Sequence, residues 1–250
     1  MNTKYKINLI RELWKDLAND DNVTVNIKKR KGKEINIGFI NQYELHDFIP
    51  NKWFDWKRRV NAKIMVIGQD WGPYKALLPY ITIYKKEKDK SNFNYDKYLF
   101  KTFSSRTERF IINTIESKYK EHYHKRITND IWNEFIFTIA VMFTRQGNHF
   151  RGNEFYDEKF GMKVSLPYLK RQIDIVQPKI IIPLGGTAWT MIRIIFGLAK
   201  YPVNISDTIS YLNNQVIKSN NIFIIPDFHP ASHTNPQIQY NIWKTIWNYF

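Results

Sequence analysis

The sequence predicts a three-layer α/β/α protein with a central, mostly parallel four-stranded sheet, preceded by an N-terminal helix and a β-hairpin. Short apolar runs of the kind found in buried parallel strands recur from residue 63 onward. Segments with the spacing of amphipathic helices lie between the later runs, and strands that alternate with helices are typical of a parallel sheet. The first 60 residues show a different pattern and are predicted to form an extension.

The extension, residues 1–60, is predicted to pack on the main domain, residues 61–250. Apolar residues recur at helical spacing over residues 8–17, which predicts an amphipathic helix. Residues 23–27 and 35–39 alternate with period two, so they predict the two strands of a β-hairpin.

The predicted turn of this hairpin, residues 28–33, is strongly basic. It begins with Lys28, Lys29, Arg30 and Lys31. Such a cluster is a candidate phosphate contact, and a solvated loop without a partner is an equally good interpretation.

In the main domain, four apolar runs predict strands and the segments between or after them predict helices. The strands cover residues 63–67, 135–143, 179–182 and 221–225. Ser165 and Pro167 are typical of a helix start, as N-cap and first-turn residue. The predicted helices cover residues 107–118, 165–176, 187–199 and 236–247.

Composition excludes several classes of protein. The chain has 250 residues, of which 43% are hydrophobic and 16% aromatic, too many for a disordered chain. No apolar run approaches the ~18 residues of a membrane span, and the start of the chain lacks a signal peptide, so we expect a soluble cytoplasmic protein. The absence of cysteine excludes disulfides, thiolate catalysis, Cys-bound zinc and iron–sulfur clusters.

The chain is strongly basic, with 38 Lys and Arg against 23 Asp and Glu and a formal net charge of +15. Cations that neutralise phosphates release counterions, so this charge favours a nucleic acid as partner. A codon bias toward Lys, Asn and Ile is the alternative explanation, since the chain is rich in all three.

Two candidate catalytic residues, Asp70 and His229, follow the first and the fourth predicted strand. Ligands of parallel sheets bind at the carboxyl ends of the strands, so both residues are expected at one rim. A carboxylate there can orient water or stabilise a cation, and an imidazole can donate a hydrogen bond to an oxygen that gains charge. Taken singly, Asp70 is also a good turn former and His229 an ordinary loop histidine.

The segments around these residues resemble motifs of the uracil-DNA glycosylases. Gly68-Gln-Asp70 is similar to the G-Q-D of the family's water-activating motif, and its continuation to Tyr74 resembles N-P-G-P-F of the single-strand-selective uracil glycosylases. Residues 229–237 resemble that group's H-P-S-P-R-N-P-Q, with one extra residue. Residues 179–188 resemble the superfamily's strand before a glycine turn and helix. Three motifs in the family's order are more specific than any one of them.

The resemblance implies a monofunctional DNA glycosylase, acting as a monomer without cofactor or metal, that flips a nucleotide out of single- or double-stranded DNA and leaves an abasic site. Asp70 then stabilises the cationic sugar and orients the attacking water. His229 hydrogen-bonds the O2 of the base, with assistance from the backbone N–H of Gln69.

The resemblance also implies residues that surround the base and the DNA. Tyr74 takes the position of the family's aromatic wall, and Tyr80 is the candidate ring that stacks on the base, with Tyr84 as a rival. The loop that enters the DNA groove carries Ser232, His233 and Thr234, of which His233 is the candidate wedge.

One residue departs from the family pattern. The family's third strand carries an Asn that reads the pyrimidine edge, and Thr138-Ile-Ala-Val141 puts Ile139 at that position. An apolar side chain cannot pair with the O4 and N3 of uracil, and each buried unpaired group costs about 1–3 kcal/mol. The base is therefore either uracil, with Asn133 or Asn148 replacing the amide, or a modified cytosine such as the glucosylated hydroxymethylcytosine that some anti-phage superfamily members excise.

Three other classes of protein are weighed against this interpretation. A catalytically inactive DNA-binding relative fits Ile139 but not the retained Asp70 and His229. A metallohydrolase would use His122 and His124 with Glu121 or Glu134, and this set lacks a third ligand at metal-binding spacing. A nucleotide-binding enzyme is disfavoured, since Leu184-Gly-Gly186 matches neither a dinucleotide fingerprint nor a phosphate loop.

Overall fold

The computed structural model describes residues 1–20, 26–30, 33–37, 39–40, 59–70, 106–142, 144–145, 158–230, 232 and 242–250. The strands are β1 (Asn26–Arg30), β2 (Lys33–Ile37), β3 (Phe39–Ile40), β4 (Ile64–Asp70), β5 (Phe135–Val141), β6 (Thr144–Arg145), β7 (Ile180–Pro183), β8 (Ile217–Ser219) and β9 (Ile222–Ile224). The helices are α1 (Thr3–Ala18), α2 (Arg106–Tyr123), α3 (Asn129–Asn133), α4 (Glu158–Val176), α5 (Gly186–Ile195) and α6 (Ile205–Leu212). Residues 242–246 are also helical and are called the C-terminal helical segment below.

The main sheet has five strands in the order β5-β4-β7-β9-β8. The first four are parallel to one another, and β8 is antiparallel to β9. The three-layer, mostly parallel α/β fold is therefore confirmed, whereas the number of four strands is wrong. Strand β8 has only three residues, with Lys218 exposed and Ser219 half-buried, so it shows no apolar run that predicts a strand.

A separate hydrophobic cluster covers each face of the sheet, because successive side chains of a strand point to opposite faces. On one face, Met65 and Ile67 pack in a cluster with the apolar side of α1, α4 and α5. On the other face, Ile64 and Val66 pack with α2, α3 and the C-terminal helical segment. The central strand β4 is consequently covered on both sides, which explains its uninterrupted apolar sequence.

The predicted N-terminal helix is confirmed as α1, and it packs on α4 of the main domain. Lys6 is 6% exposed, and its ammonium donates a 2.9 Å hydrogen bond to the carbonyl of Val176, the last residue of α4. The Tyr168 hydroxyl donates to Asp20 at 2.7 Å, and Arg171 forms an ion pair with Asp16. We propose that residues 1–60 are an extension that packs on the main domain through this helix.

The predicted hairpin is confirmed as β1 and β2, but its boundaries are wrong. Lys28, Lys29 and Arg30 belong to β1 rather than to the turn, and Arg30 pairs with Lys33 of β2. The period-two pattern misplaced the boundary because β1 has one apolar residue, Ile27, followed by three basic residues that show no alternation.

Two predicted boundaries in the main domain are also wrong. Strand β4 does not stop at Gly68 but continues to Asp70, which pairs with Val141 of β5. Helix α4 begins at Glu158 and not at Ser165, and Pro167 lies exposed inside it. The Ser165 hydroxyl is buried and accepts a 3.0 Å hydrogen bond from the Met142 backbone N–H, so it satisfies the end of β5 rather than a helix start.

Helix α5 ends earlier than predicted, and α6 was not predicted. The chain leaves α5 through Gly197, whose φ of +64° favours glycine at the end of a helix. Helix α6 begins at an N-cap, Asn204, whose side chain accepts hydrogen bonds from the backbone of Ser206 and Asp207. That N-cap was a readable signal for a helix. Among the described helices, none has the length and apolar character required to cross a bilayer.

The buried contact of Ser165 gives a stability prediction. Ser165→Ala is expected to lower the free energy of unfolding by about 1–3 kcal/mol, because the Met142 N–H stays buried without its acceptor. The measurement is urea unfolding followed by fluorescence. Ser210→Ala, at an exposed position of α6, is the matched control because it makes the same change in helix propensity. Equal stabilities of the two variants would contradict the assigned contact.

Candidate active site

The carboxyl ends of β4, β7 and β9 meet at one edge of the sheet, with β7 in the middle. Backbone hydrogen bonds continue past the strands, from Leu184 N–H to the Ile67 carbonyl at 2.8 Å and from Asp227 N–H to the Pro183 carbonyl at 3.0 Å. The Gly185 N–H donates back to the Asp227 carbonyl at 2.8 Å. The end of β4 and the segment that follows β9 are therefore fixed on either side of the end of β7.

Asp70 is the last residue of β4, and its backbone lies at this edge opposite Val141 of the neighbouring strand β5. The residue before it, Gln69, is half-buried in the same strand. Since β7 separates β4 from β9, the backbone of Asp70 and the segment after β9 are about two strand spacings, roughly 10 Å, apart.

His229 lies at the same edge, two residues beyond the bridge between Leu184 and Asp227. It is half-buried, and its carbonyl accepts a 2.8 Å hydrogen bond from the Ser232 N–H, which closes a turn. Its Cβ packs on Gly185, where a Cβ atom would lie only 3.0 Å from it. Gly185 also has a φ of +85° and a ψ of 175°, a conformation essentially restricted to glycine. The glycine after β7 is thus required for the close approach of His229.

Asp227 is a member of this site to which the sequence analysis assigned no role. Its side chain is 1% exposed, and its two carboxylate oxygens accept hydrogen bonds from the Phe228 N–H at 2.7 Å and from the Trp243 indole N–H at 2.8 Å. Burial raises the pKa of Asp227 to about 7, against the opposing effect of the two hydrogen bonds. An acidic residue directly after an apolar strand and two residues before the histidine was the available signal.

Ile139 lies near the carboxyl end of β5, in register with Gly68 of β4. It is 5% exposed, and its Cγ2 is 3.7 Å from the position that a Cβ of Gly68 would take. Its side chain belongs to the hydrophobic cluster of Met65 and Ile67, on the face of the sheet that α1, α4 and α5 cover.

Asn133 does not supply an amide at the carboxyl edge of the sheet in place of one at position 139. It ends α3 at the amino end of β5, about 20 Å from that edge by the length of the strand. Asn148 lies outside the described residues.

The structure brings only part of the predicted set together. Asp70, Gln69, Ile139, His229 and Ser232 all lie toward the carboxyl edge of the sheet, and Ser232 is exposed there. The backbones of Lys28, Lys29 and Arg30 are in β1, which belongs to a separate two-stranded sheet with β2. Several predicted residues lie outside the described part of the chain: Lys31, Tyr74, Tyr80, Tyr84, His233 and Thr234.

Of the four candidate metal ligands, the two glutamates form ion pairs with lysines and the two histidines are exposed. Glu134 forms a 2.9 Å ion pair with Lys63, and Glu121 is paired with Lys118 on α2. His122 and His124 are exposed. Across the described ranges, no group of three or more His, Asp or Glu side chains is arranged to hold a metal ion.

The fold and the edge residues define an α/β domain with a candidate ligand site at the carboxyl ends of its parallel strands. The family model of the uracil DNA glycosylase superfamily matches residues 56–250. The chain therefore belongs to the uracil-DNA glycosylase superfamily, whose members are DNA glycosylases that act on DNA. No curated protein gives a significant match to the chain.

Proposed function

We propose that this protein is a monofunctional DNA glycosylase that hydrolyses the N-glycosidic bond of a non-standard pyrimidine and leaves an abasic site. The observation that supports it best is the placement of the backbones of Asp70 and His229 on opposite sides of β7 at one edge of the sheet. The separation of these backbones, roughly 10 Å as estimated from two strand spacings, suits a proposed site in which a flipped nucleotide lies between a carboxylate and an imidazole.

In the proposed reaction, the glycosidic bond breaks with its electron pair passing to the base. The sugar becomes cationic, and the Asp70 carboxylate stabilises that charge and orients the water that attacks C1′. His229 donates a hydrogen bond to the O2 of the departing base, where negative charge accumulates, and the Gln69 N–H assists. The water supplies the hydroxyl of the abasic sugar, and its proton balances the charge of the base anion.

The base is proposed to be a pyrimidine whose outer edge is not read by an amide. Ile139 is buried, it takes the position of the family's pyrimidine-reading Asn by the resemblance of its strand, and Asn133 is too far away to replace it. A uracil whose O4 and N3 face Ile139 loses about 1–3 kcal/mol for each unpaired group. The N4 and N3 of a cytosine lose as much at this edge, but the added group of a modified cytosine, such as glucosylated hydroxymethylcytosine in phage DNA, offers polar contacts that do not depend on an amide at position 139. We therefore propose a modified cytosine rather than uracil, and with it a role in defence rather than in repair.

DNA binding is proposed to use the basic hairpin and the loop after His229. The hairpin residues are Lys28, Lys29, Arg30 and Lys31, and the loop residues are Ser232, His233 and Thr234. Tyr74 and Tyr80 are the proposed aromatic contacts of the base. We further propose a cytoplasmic monomer, and the net charge of +15 supports phosphate binding that weakens with salt.

The test is a glycosylase assay with alkaline cleavage of abasic sites. The substrates are single- and double-stranded DNA with one uracil, hydroxymethylcytosine or glucosylated hydroxymethylcytosine, with unmodified DNA as control. EDTA is present, because the proposed chemistry uses only a carboxylate, an imidazole and water. We expect abasic sites on a modified-cytosine strand. Cleavage of uracil alone would contradict the role given to Ile139.

A catalytically inactive DNA-binding relative is the second candidate, and Ile139 is the observation that favours it. In that case the protein binds DNA in a salt-dependent manner and produces no abasic site on any of the substrates. The Asp70→Asn variant then binds as the wild type does, and the assay has no activity to lose.

A further inference from the structure

We infer that Asp227 is a positioning residue that holds the His229 segment in its reactive place by tying it to β7 and to the C-terminal helical segment, and that its ionised carboxylate is the form that does so. This inference rests on the proposed function, because it assigns a task to a residue beside the proposed base-binding histidine.

Asp227 makes hydrogen bonds through both its backbone and its side chain. Its backbone N–H donates to the Pro183 carbonyl at 3.0 Å, and its carbonyl accepts from the Gly185 N–H at 2.8 Å. Its carboxylate accepts from the Phe228 N–H and from the Trp243 indole. Every polar group of the residue is therefore used, and the bonds join three separate segments of the chain.

His229 lies next to two of the groups that these hydrogen bonds hold. The Asp227 carboxylate accepts a hydrogen bond from the backbone N–H of Phe228, the residue immediately before His229. His229 itself packs on Gly185, whose N–H donates to the Asp227 carbonyl. A change at the Asp227 carboxylate therefore acts on the histidine through one residue of chain on one side and through Gly185 on the other.

The surroundings of the Asp227 side chain complement its ionised form. Both carboxylate oxygens face N–H donors, so the ionised form matches its surroundings and the protonated form does not. The O–H of a protonated carboxyl would point at a donor and would break one of the two hydrogen bonds. In the described part of the chain no cation pairs with Asp227, and the N–H dipoles alone stabilise its charge.

The Asp227 carboxyl group is balanced between its ionised and its protonated form. Burial raises the pKa of Asp227 to about 7, so both forms are populated near neutral pH. In the described part of the chain, the titratable or charged groups on the neighbouring segments are His229, the exposed Lys244 beside Trp243, and Asp70, whose backbone lies beyond β7. A pH effect that remains after Asp227 is replaced is expected to belong to one of these groups.

The kinetic test compares Asp227→Asn with the wild type over pH 5 to 9. The two N–H donors face different carboxylate oxygens, and an amide replaces one of these oxygens by an NH2 donor, so one of the two hydrogen bonds is lost. We expect kcat above pH 7 to fall about 10-fold with KM for DNA unchanged, and the rise of wild-type kcat through pH 7 to disappear. A merely structural role would instead lower the folded fraction without changing the shape of the pH profile.

Trp243→Phe and Trp247→Phe form a matched pair of variants on the partner side. Both remove an indole from the same part of the chain, but only Trp243 donates to Asp227. The Trp247 indole N–H has no hydrogen-bond partner among the described residues. We expect Trp243→Phe to lower kcat and Trp247→Phe to keep it.

An NMR titration tests the same inference without using activity. Among the eight Trp indole N–H signals, the one lost in Trp243→Phe should titrate near pH 7 in the wild type and not in Asp227→Asn. The imidazole signal lost in His229→Ala, one of six, should shift between wild type and Asp227→Asn. Unchanged indole and imidazole signals would overturn the inference. A wild type inactive on every base, with both signals responding, would overturn the proposed function alone.

Discussion

Replacement of Asp70 by Asn is expected to reduce the rate of base excision by about 10²–10⁴-fold while DNA binding persists. The amide keeps the size of the side chain but carries no negative charge, so it neither stabilises the cationic sugar nor accepts a proton from water. The measurement is single-turnover excision on the substrate identified above, together with the salt-dependent affinity for the same DNA. Binding should remain within a few-fold, since the change leaves all basic residues in place.

Asp207→Asn is the matched control, because Asp207 is an exposed carboxylate in the first turn of α6. It makes the same change of charge away from the candidate site. His229→Ala is expected to lower the rate by about 10²–10³-fold through the loss of the donor to the base. If Asp70→Asn retained wild-type excision, the assignment of the carboxylate would be wrong even if the protein is a glycosylase.

The second large effect is expected at Gly185. An Ala there places a Cβ at 3.0 Å from the His229 Cβ and forces a residue with a side chain into a backbone conformation that only glycine adopts readily. We expect a loss of about 1–3 kcal/mol in the free energy of unfolding. The folded enzyme that remains should also excise at least 10-fold more slowly, because His229 must move. Thermal unfolding and excision per folded molecule are measured together.

The Gly197→Ala variant distinguishes the effect of lowered stability from the effect of displacing His229. Gly197 also has a positive φ, +64°, but a Cβ there would meet no atom within 4 Å. Its replacement should therefore lower stability without changing the rate of excision per folded molecule. An equal loss of rate in both variants would show that lowered stability, rather than displacement of the histidine, explains the result at Gly185.

The fold was largely predictable because burial dictates the composition of its strands. The runs at β4, β5, β7 and β9 are apolar since those strands are covered on both faces, and four parallel strands were recovered from them. Strand β8 was missed because it is short and lies at the sheet edge with an exposed lysine, Lys218. Helix α6 was missed although its N-cap, Asn204, was readable.

The candidate site was only partly predictable, because its residues are related through space. The position of Asp70 and His229 after strands was enough to expect them at one edge, and their backbones lie there. The contact of His229 with Gly185 depends on a glycine conformation and on strand order, which no local pattern contains. The contact of the Asp227 carboxylate with the Trp243 indole joins residues 16 positions apart, so it depends on tertiary packing.

The order of strands in the sheet has a consequence for how this chain folds. The central pair joins Ile64 to Ile180, and the segment after β9 closes on residues next to β7. Such contacts between distant parts of the chain require the closure of long loops before they stabilise anything, which slows folding and favours intermediates. A chain interrupted between β4 and β7 holds only one side of the proposed reaction centre. We therefore expect excision activity to be recovered late in refolding, after most helical signal has returned.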